Sequence, residues 1–509
     1  MSQGLFFRPD EAWVGDVIPW VEDGTAYLFY LHERRNWPKS GMPWHLITTH
    51  DNVTFTDHGE RLASGGRSAS DWNIYTGSIV VDQSGTHHVF YTGQNPTRLG
   101  EDGRPLQLVM HATSDDGMRT WNRHPEHTFG APAGYESGDW RDPFVLWDDE
   151  AGLWRMLIAA RHASGPERRR GTIAQCVSHD LESWTAVAPF YDPRRYIAHE
   201  CPEVFKIGDW WYLVYSEFSD AFVTRYRMAR SLSGPWIAPE FDTLDSRAFY
   251  AAKSLELDGR RFFYGWIASR EADRDDGAWQ WAGSLSVVEA IPRADGTLDF
   301  QVPRERLAVF DAVLDDAARG LEGARLASPD GYVAIVGDAT LPTECHIHAE
   351  LELEGEVSEV GLLLRASDDG DTGYVLRLEP RRGRAVFDRW PRATTGTEQW
   401  QISGDVPFLV ELERPLRLDP GAHVIDIVLD GDICVVNIDG TAMLSTRIYD
   451  HTKGRLGFFV SDGTATLTQV AVKSRNRTND GEVSDWRAEL RGSSDFAHSV
   501  PDTSGASTQ

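Results

Sequence analysis

Residues 208–218 read GDWWYLVYSEF, in which a glycine turn is followed by an aromatic-rich strand. The chain repeats this form four more times, as DGTAYLFYLHERR at 23–35, SGTHHVFYTGQ at 84–94, AGLWRMLIAAR at 151–161 and DGRRFFYGWIA at 258–268. In four units a second polar turn follows and leads to an aromatic residue, as THDNVTF, TSDDGMRTW, SHDLESW and SLSGPW. Each unit therefore predicts four antiparallel strands joined by tight turns.

The spacing of the repeat selects the architecture. The five turn glycines are 51 to 67 residues apart, and no strong 3.6-residue periodicity separates the units, which argues against βαβ folds. Four-stranded units repeated in this way predict a five-bladed β-propeller over residues 1–304. The alternative is an ordinary β-sandwich in which the similarity of the units arises by chance.

The second half of the chain predicts another all-β domain. Residues 305–325 form a polar, helix-capable linker, and residues 326–475 contain short alternating strands separated by Gly-Asp turns, which is typical of a β-sandwich. From 476 to 509 the composition turns to Asn, Asp, Ser, Thr and Gly, and we expect a disordered tail. The expected fold class is all-β, a five-bladed propeller followed by a C-terminal sandwich.

Composition and charge exclude several kinds of partner. The 509 residues carry a formal net charge of −28, which argues against nucleic acid and anionic membranes but is compatible with a neutral polar ligand. No apolar stretch approaches about 18 residues and no secretory signal is visible, so we expect no membrane span and a cytoplasmic location. The scattered cysteines predict neither a zinc site nor a disulfide framework. We expect no cofactor, and a homo-oligomer is compatible with the sequence.

Three acids occupy matched places in the repeat. Asp16 and Glu200 precede the turn glycine of their units by 8 residues, and Asp142 precedes its glycine by 10. In the other two units these places hold polar residues too: Ser78, and Tyr250 with Lys253. The first strand of a propeller blade lines the central channel, and even offsets place side chains on one face. We therefore expect the three carboxylates to converge in one funnel.

Neighbouring acids are rivals for the same role. Asp139 and Glu203 lie 13 and 5 residues before their glycines, and these odd offsets predict the opposite strand face. Asp10 lies further out, on the entry loop. This parity holds only where no β-bulge intervenes.

Converging carboxylates suggest a definite chemistry. Two carboxyl groups beside an acetal bond are what glycoside hydrolysis requires, one as nucleophile or base and one as general acid. A third acid can hold sugar hydroxyls, and the 19 tryptophans offer either core packing or flat platforms for sugar rings. The alternative for each acid is a surface turn residue, but the matched positions favour a shared site.

Two short motifs carry a family resemblance. WRDPFVLW at 140–147 and HECPEVF at 199–205 contain Arg-Asp-Pro and Glu-Cys-Pro in this order. Together they resemble glycoside hydrolase family 32, the β-fructofuranosidases that include invertases, levanases and inulinases. Further segments are similar to family strands: HVFYTG (88–93), RFFYGW (261–266), WAGSLSVVEAIPR (281–293) and, in the C-terminal sandwich, IDIVLDGDICVVNIDGTAMLSTRIY (425–449).

The resemblance implies an exo-acting, retaining enzyme that removes terminal β-fructofuranosyl units from fructans or fructo-oligosaccharides. It implies that Asp16 is the nucleophile, Glu200 the general acid/base and Asp142 the stabiliser of the transition state. Six further side chains are implied as sugar contacts: Trp44, Thr76, Ser78, Arg141, Tyr250 and Trp281. The implied partner is a small carbohydrate, with no metal.

The nucleophile segment departs from the family. Members usually carry Asn-Asp-Pro-Asn-Gly there, whereas this chain has Gly15, Asp16, Val17, Ile18 and Pro19, and Leu31 stands where many members have glutamine. The substrate therefore stays open between an ordinary fructoside, a difructose anhydride and another furanoside. Alternatives are fructosyl transfer or difructose-anhydride-type activity, an inverting arabinofuranosidase-like enzyme of the related family 43, and a non-catalytic sugar-binding protein.

Overall fold

The computed structural model describes residues 4–36, 40–391 and 412–475 of the chain. The predicted disordered tail, 476–509, lies outside the described residues. Among the described residues, no helix has the length and apolar character that crossing a membrane requires. The described chain consists almost entirely of antiparallel β-strands, as the repeat predicts.

The first half forms five antiparallel blades. The strands of blades 1 and 2 are β1 (Trp13–Glu22), β2 (Thr25–Glu33), β3 (Trp44–Thr49), β4 (Thr56–Leu62), β5 (Asn73–Val81), β6 (His87–Leu99), β7 (Pro105–Ser114) and β8 (Asn122–Arg123). Those of blades 3 to 5 are β9 (Tyr135–Asp148), β10 (Leu153–His162), β11 (Gly171–Ser178), β12 (Thr185–Tyr191), β13 (Glu200–Ile207), β14 (Trp210–Glu217), β15 (Val223–Ala229), β16 (Phe249–Leu257), β17 (Arg260–Arg270), β18 (Trp279–Pro292) and β19 (Leu298–Gln301).

The blades close into a ring. Strand β18 of blade 5 pairs with β1 of blade 1 through Gly283 and Val14. Apolar side chains fill the spaces between neighbouring blades, with Tyr264 and Leu28 between blades 5 and 1 and Phe90 and Trp140 between blades 2 and 3. The aromatic residues of the repeat therefore build the seams between blades, and the first strand of each blade faces the centre.

Each of the five inner strands is interrupted by a β-bulge. The pairing register shifts between Val14 and Val17 in β1, and at equivalent places in β5, β9, β13 and β16. Three residues at these bulges have positive φ: Asp142 (57°), Cys201 (49°) and Ala251 (53°). A bulge bends its strand and changes the direction of its side chains. The polar residues of the repeat lie at these five bulges.

The second half is a β-sandwich whose strands belong to one continuous sheet that bends. After a short helix α1 (Arg304–Ala308) its strands are β20 (Ala312–Val313), β21 (Ala324–Thr340), β22 (Glu344–Leu353), β23 (Glu359–Ala366), β24 (Gly373–Glu379), β25 (Arg384–Trp390), β26 (Leu412–Pro415), β27 (Gly421–Asp430), β28 (Ile433–Ile438), β29 (Ala442–Arg447) and β30 (Arg455–Ser474). Strand β30 pairs with β23 in its first half and with β22 in its second half, so it joins the two layers. Because β20 pairs with β30, the sandwich begins inside the segment predicted as a linker.

The sandwich packs against blades 4 and 5. One apolar cluster continues from Phe249 and Phe263 of blade 5 to Leu444 of the sandwich. Arg447 donates hydrogen bonds to the carbonyl oxygens of Ile267 (2.9 Å) and Ala268 (3.1 Å). Buried polar groups that are paired across an interface fix its geometry, so the sandwich stabilises the propeller on the side of blade 5.

Candidate active site

Asp16 lies at the bulge of β1 and is held through both carboxylate oxygens. The hydroxyl of Thr76, from β5, donates to Oδ2 at 2.6 Å. The indole N–H of Trp266, from β17, donates to Oδ1 at 2.9 Å. The Cys201 thiol lies 3.6 Å from Oδ2. Three other blades therefore orient the Asp16 carboxylate, and no other side chain of blade 1 is required to do so.

Asp142 lies beside it, at the bulge of β9. Its backbone N–H donates to the Thr92 hydroxyl at 2.8 Å, and its Oδ2 accepts from the backbone N–H of Cys201 at 2.9 Å. The side chain is almost fully buried, at 3% exposure. Burial raises the pKa of Asp142 to about 6, although the Arg141 guanidinium opposes this shift.

Glu200 begins β13 and receives one hydrogen bond on each carboxylate oxygen. Arg141 Nη2 donates to Oε1 at 2.9 Å, and the Tyr250 hydroxyl donates to Oε2 at 2.6 Å. The Tyr250 ring is itself stacked on Phe222, with centroids 4.2 Å apart. Two donors at opposite sides of the carboxylate fix its plane. The Glu200 side chain is 21% exposed, compared with 4% for that of Asp142.

The electrostatics of the three acids are coupled. Burial raises the pKa of Asp16, the Thr76 and Trp266 hydrogen bonds oppose that rise, and the Glu200 charge adds to it. Burial disfavours the charge of Arg141, but the carboxylates of Glu200 and neighbouring acids raise its pKa well above the usual value. An arginine that stays charged between carboxylates reduces their mutual repulsion.

Lys253 of β16 is buried and connects two blades near the acids. Its ammonium donates to the Gly77 carbonyl oxygen at 2.7 Å, which links blade 5 to blade 2. Burial lowers the pKa of Lys253, while Glu203, Asp142 and Asp16 oppose that change. A cation at this depth partly compensates the negative charge of the site above it.

Two family models match this chain. The N-terminal domain of glycosyl hydrolases family 32 matches residues 6–300, and the C-terminal domain of the same family matches residues 328–474. The chain belongs to glycoside hydrolase family 32. The resemblance carried by the Arg-Asp-Pro and Glu-Cys-Pro motifs is confirmed, and so is the predicted propeller followed by a sandwich. The protein is therefore a glycoside hydrolase, and its substrate is a carbohydrate.

Individual relatives are distant but cover most of the chain. The cell wall β-fructofuranosidase of Zea mays is 23% identical over 78% of this chain and 71% of its own length. The levanbiose-producing levanase of Bacillus subtilis is 22% identical over 92% of this chain and 89% of its own. Fructan 1-exohydrolase IIa from Cichorium intybus, a solved structure, has a TM-score of 0.71 at 17% identity and covers 93% of this chain and 97% of its own.

Of the residues that the sequence implies for this family 32 site, most meet in one place. Asp16, Asp142 and Glu200 lie together as the repeat predicts, and Thr76, Arg141 and Tyr250 contact their carboxylates directly. These three contacts are with the acids, so their predicted contacts with sugar stay predictions. The Trp281 ring lies 6.0 Å from Trp266 and is 39% exposed, so a ligand can reach it.

Two of the implied sugar contacts are corrected by the structure. Trp44 is 1% exposed, and its indole N–H donates to the carbonyl oxygen of Tyr75. The Ser78 hydroxyl donates to the Pro143 carbonyl oxygen and accepts from the Val145 N–H, both at 2.9 Å, and is buried. Both side chains are already fully bonded inside the protein, so they support the seams between blades rather than a ligand.

Sequence reasoning missed two groups and misjudged a third. Trp266 was visible only as part of a family-like strand, yet it donates to Asp16. Lys253 was noted as a polar repeat position but was given no role. Asp139 was expected on the face opposite to the acids, yet its carboxylate lies 2.6 Å from Arg141 Nη1, and Arg141 in turn bonds Glu200. Glu203 does face away from the acids and is bonded to Ser254 of blade 5.

The side chains of Trp281 and Leu31 explain the departures around the nucleophile. A Cβ atom added at Gly15 would meet the Trp281 ring at 2.5 Å and the Leu31 Cβ at 2.9 Å. The family asparagine before the nucleophile therefore has no room here, because Trp281 and Leu31 fill its place. At positions 15 and 31 the polar side chains of the family are absent, and the Leu31 side chain and the Trp281 ring occupy the space beside Gly15.

The pKa of Asp142 predicts the acid limb of the pH–rate profile. An ionised Asp142 accepts hydrogen bonds from sugar hydroxyls, whereas the protonated form loses part of this capacity. We expect kcat/KM to fall as the pH decreases through about 6, where the pKa of this group lies. Initial rates measured from pH 4 to pH 8 check this, and a rate that stays constant down to pH 4 would contradict it.

The same shift predicts that Asp142→Asn stabilises the protein. The folded state binds the Asp142 proton more tightly than the unfolded chain, so the free energy of unfolding falls as the pH rises between the ordinary value of 3.8 and about 6. Asparagine carries no charge, and its oxygen can still accept from Cys201. We expect a gain of about 3 kcal/mol at neutral pH, measured by denaturant unfolding, that disappears near pH 4. A variant less stable than the wild type at neutral pH would contradict this.

Proposed function

We propose that this family 32 hydrolase releases terminal β-fructofuranosyl units from fructans or fructo-oligosaccharides, with retention at the anomeric carbon. The observation that supports this most strongly is that Asp16 and Glu200 have different surroundings. Asp16 is held from below by Thr76 and Trp266, as suits a nucleophile. Glu200 is partly exposed and is flanked by Arg141 and Tyr250, as suits an acid that meets a leaving group. The names of the relatives, which include a levanase and a β-fructofuranosidase, indicate that the sugar is fructose.

The proposed first step forms a covalent intermediate. Glu200 donates its proton to the glycosidic oxygen while an Asp16 oxygen attacks the anomeric carbon of the terminal fructose. The bond between that carbon and the glycosidic oxygen breaks, and the shortened sugar leaves as an alcohol. Asp16 is then joined to the fructosyl unit as an ester, and Glu200 is left as a carboxylate.

The second step returns the enzyme to its starting state. The Glu200 carboxylate removes a proton from water as the oxygen of that water attacks the anomeric carbon. The bond to Asp16 breaks and fructose leaves with the configuration it had in the substrate. Two displacements at one carbon account for retention.

Retention requires the nucleophile and the acid to be close, at about 5–5.5 Å. Cys201, the residue that follows Glu200, has its sulfur 3.6 Å from Asp16 Oδ2. The Glu200 charge also acts directly on Asp16 and Asp142. The chain neighbours of Glu200 therefore lie against the nucleophile, which supports a short separation.

Asp142 is proposed to stabilise the transition state. Its buried carboxylate lies between Asp16 and Arg141, where it can accept hydrogen bonds from the hydroxyls of the terminal fructose. These bonds strengthen as positive charge develops on the ring, because a charged acceptor binds a more acidic hydroxyl more tightly.

A cavity on blades 2 and 3 offers space for the leaving group, although none of the three acids lines it. It has a volume of about 730 Å³ and is lined by residues of blades 2 and 3, among them Arg104, Tyr135, Ser137 and Arg161. Asp139 connects the two regions, since it accepts from Arg104 at 2.9 Å and from Arg141 at 2.6 Å. This volume is typical of ligand sites and accommodates more than one sugar ring, so we propose that short fructans bind here.

The test is the identity and the configuration of the first product. Short fructans incubated with the protein should release fructose one unit at a time, and NMR spectra recorded in the first minutes should show the β-anomer. Inverted fructose would exclude Asp16 as a nucleophile. Release of oligosaccharides without fructose would exclude exo action, and the absence of any product across fructans and other furanosides would exclude the proposed activity.

Trp281 is expected to contribute binding rather than chemistry. A ring exposed at the funnel can pack against a sugar face, and loss of such contacts costs about 1.4 kcal/mol, or tenfold in affinity. We therefore expect Trp281→Ala to raise KM for a short fructan about tenfold with a smaller change in kcat. Steady-state kinetics check this. Trp147→Ala is the matched control, because Trp147 is also 39% exposed but lies on the outer end of β9; equal effects of the two substitutions would contradict a role for Trp281.

A further inference from the structure

A group of histidines lies at the outer edge of blade 2, away from the three acids. His88 and His111 come from β6 and β7, whereas His124 and His127 flank the short 3-10 helix Pro125–His127. The mutual centroid distances of the last three rings are 5.1–5.2 Å. Nothing in the proposed fructosidase reaction uses these side chains.

Three of the rings form a chain of hydrogen bonds. Nδ1 of His127 and Nδ1 of His111 are 3.0 Å apart, and Nε2 of His111 and Nδ1 of His88 are 2.9 Å apart. Each of these bonds joins one protonated and one unprotonated nitrogen, so the chain limits the tautomers that its rings can adopt. Beyond the chain, Nε2 of His88 lies 3.5 Å from Asp82 Oδ2 without a hydrogen bond between them.

His111 orients the outermost ring of the chain. Where His127 donates from Nδ1 to His111, its Nε2 is the nitrogen left to bind a metal ion. Nε2 points towards blade 3, where Glu182 Oε2 lies 3.9 Å away.

His124 provides a second nitrogen on the same side. Its Nε2 is 2.9 Å from the Thr113 hydroxyl, and its Nδ1 is 3.3 Å from Glu126 Oε1. A metal ion bound between Nδ1 and Glu126 would replace the proton of that hydrogen bond, and Nε2 would then donate to Thr113. One ligand atom each from His124, Glu126 and His127 lies within 4.8 Å of the other two.

We propose that His124, Glu126, His127 and Glu182 form a zinc site that joins blade 2 to blade 3. Two imidazole nitrogens and two carboxylate oxygens suit tetrahedral Zn²⁺, with bonds of about 2.0–2.2 Å. Metal-bound histidines usually donate their other N–H to a protein acceptor, and here Thr113 serves His124 and the His111 ring serves His127. The sequence predicted no zinc site from its cysteines; three of these ligands lie within residues 124–127, and the fourth comes from the next blade.

A second histidine group provides the control. His346 and His348 lie 2.7 and 2.9 Å from the same oxygen of Asp426 in the sandwich. Each ring presents a protonated nitrogen to that oxygen, because a carboxylate only accepts. Both rings share this one oxygen as acceptor, so the two nitrogens and the oxygen are already bonded to each other.

The test is titration of Zn²⁺ into untagged full-length protein from which metals have been removed with EDTA. Isothermal calorimetry should show one Zn²⁺ bound per chain, with a Kd of about 1 μM or tighter, and thermal unfolding should move to higher temperature with added Zn²⁺. His124→Asn and His127→Asn should each abolish the saturable binding and the thermal shift, with circular dichroism confirming the fold. His348→Asn should change neither.

The Asp82→Asn variant distinguishes a zinc site from histidines that are clustered by chance. It removes the carboxylate charge beside His88 without touching a proposed ligand, so a zinc site supported by the imidazole chain should lose about tenfold or more in Zn²⁺ affinity. No saturable binding by the wild type, undiminished binding by both His124→Asn and His127→Asn, or binding lost in His348→Asn would each overturn the zinc site. Unchanged affinity in Asp82→Asn would overturn the role given to the imidazole chain.

Discussion

Asp16→Asn should lower kcat/KM for a short fructan by roughly 10⁴-fold or more, the size expected when a residue that forms the covalent intermediate is removed. An amide oxygen is too weak a nucleophile to attack the anomeric carbon. The fold should be kept, because the asparagine oxygen can accept from Trp266 and its NH₂ can donate to the Thr76 hydroxyl. Steady-state assays with matched protein concentrations measure the loss.

The control for this substitution lies on the same hairpin. Asp23→Asn changes an exposed aspartate in the turn between β1 and β2, and its positive φ of 49° is one that asparagine tolerates. Its activity should equal that of the wild type. If Asp16→Asn retained more than about a tenth of the wild-type kcat/KM, Asp16 would not be the nucleophile.

Glu200→Gln should lower kcat/KM for a fructan by about 10³-fold, within the range that general acid catalysis supplies. The loss should be much smaller for a nitrophenyl β-fructofuranoside, because its leaving group departs without a proton. With that substrate the second step becomes limiting, and added azide should restore turnover by replacing water, since azide attacks without a general base.

This difference between substrates distinguishes an acid from a structural residue. A role only in folding or binding predicts equal losses for both substrates and no effect of azide. Glu150→Gln, in the exposed turn between β9 and β10, is the matched control and should keep full activity. Full activity of Glu200→Gln on a fructan would remove Glu200 from the mechanism.

The positions of the acids could be predicted because the repeat fixes them. Asp16, Asp142 and Glu200 lie on the inner strands of their blades, which the offset from each turn glycine indicates. Hydrophobic periodicity alone does not give the blade closure, but five units of similar length leave few other arrangements. The sandwich was predictable for a similar reason, since its strands alternate along most of 326–475.

The side-chain directions at the site were harder to predict. Every inner strand has a bulge at the level of the acids, and no residue type in the sequence marks it. A bulge changes the face of the strand on which a side chain lies. At this level Asp139 bonds to Arg141, and Ser78 bonds to Pro143 of the neighbouring blade. The alternation of side chains along a strand therefore predicted that the three acids lie together, but it did not predict the contacts of some neighbouring residues.

Contacts between distant segments were not predictable from one sequence. Gly15 and Leu31 each look like isolated losses of a family residue, but the structure shows that Leu31 and Trp281 both fill the space beside Gly15. Trp266 lies 250 positions after Asp16, and only the closed ring brings its indole N–H to the carboxylate. Such replacements depend on three-dimensional packing rather than on local pattern.

The most direct test of the account is to identify the residue that carries the fructosyl unit. Glu200→Gln slows the second step, so rapid quenching with acid after mixing with a nitrophenyl β-fructofuranoside should trap the intermediate. Mass spectrometry of the digested protein should show one added fructosyl unit on the peptide that contains Asp16, and no adduct in the Asp16→Asn, Glu200→Gln double variant. An adduct on another residue, or turnover with inversion and no adduct, would contradict the account.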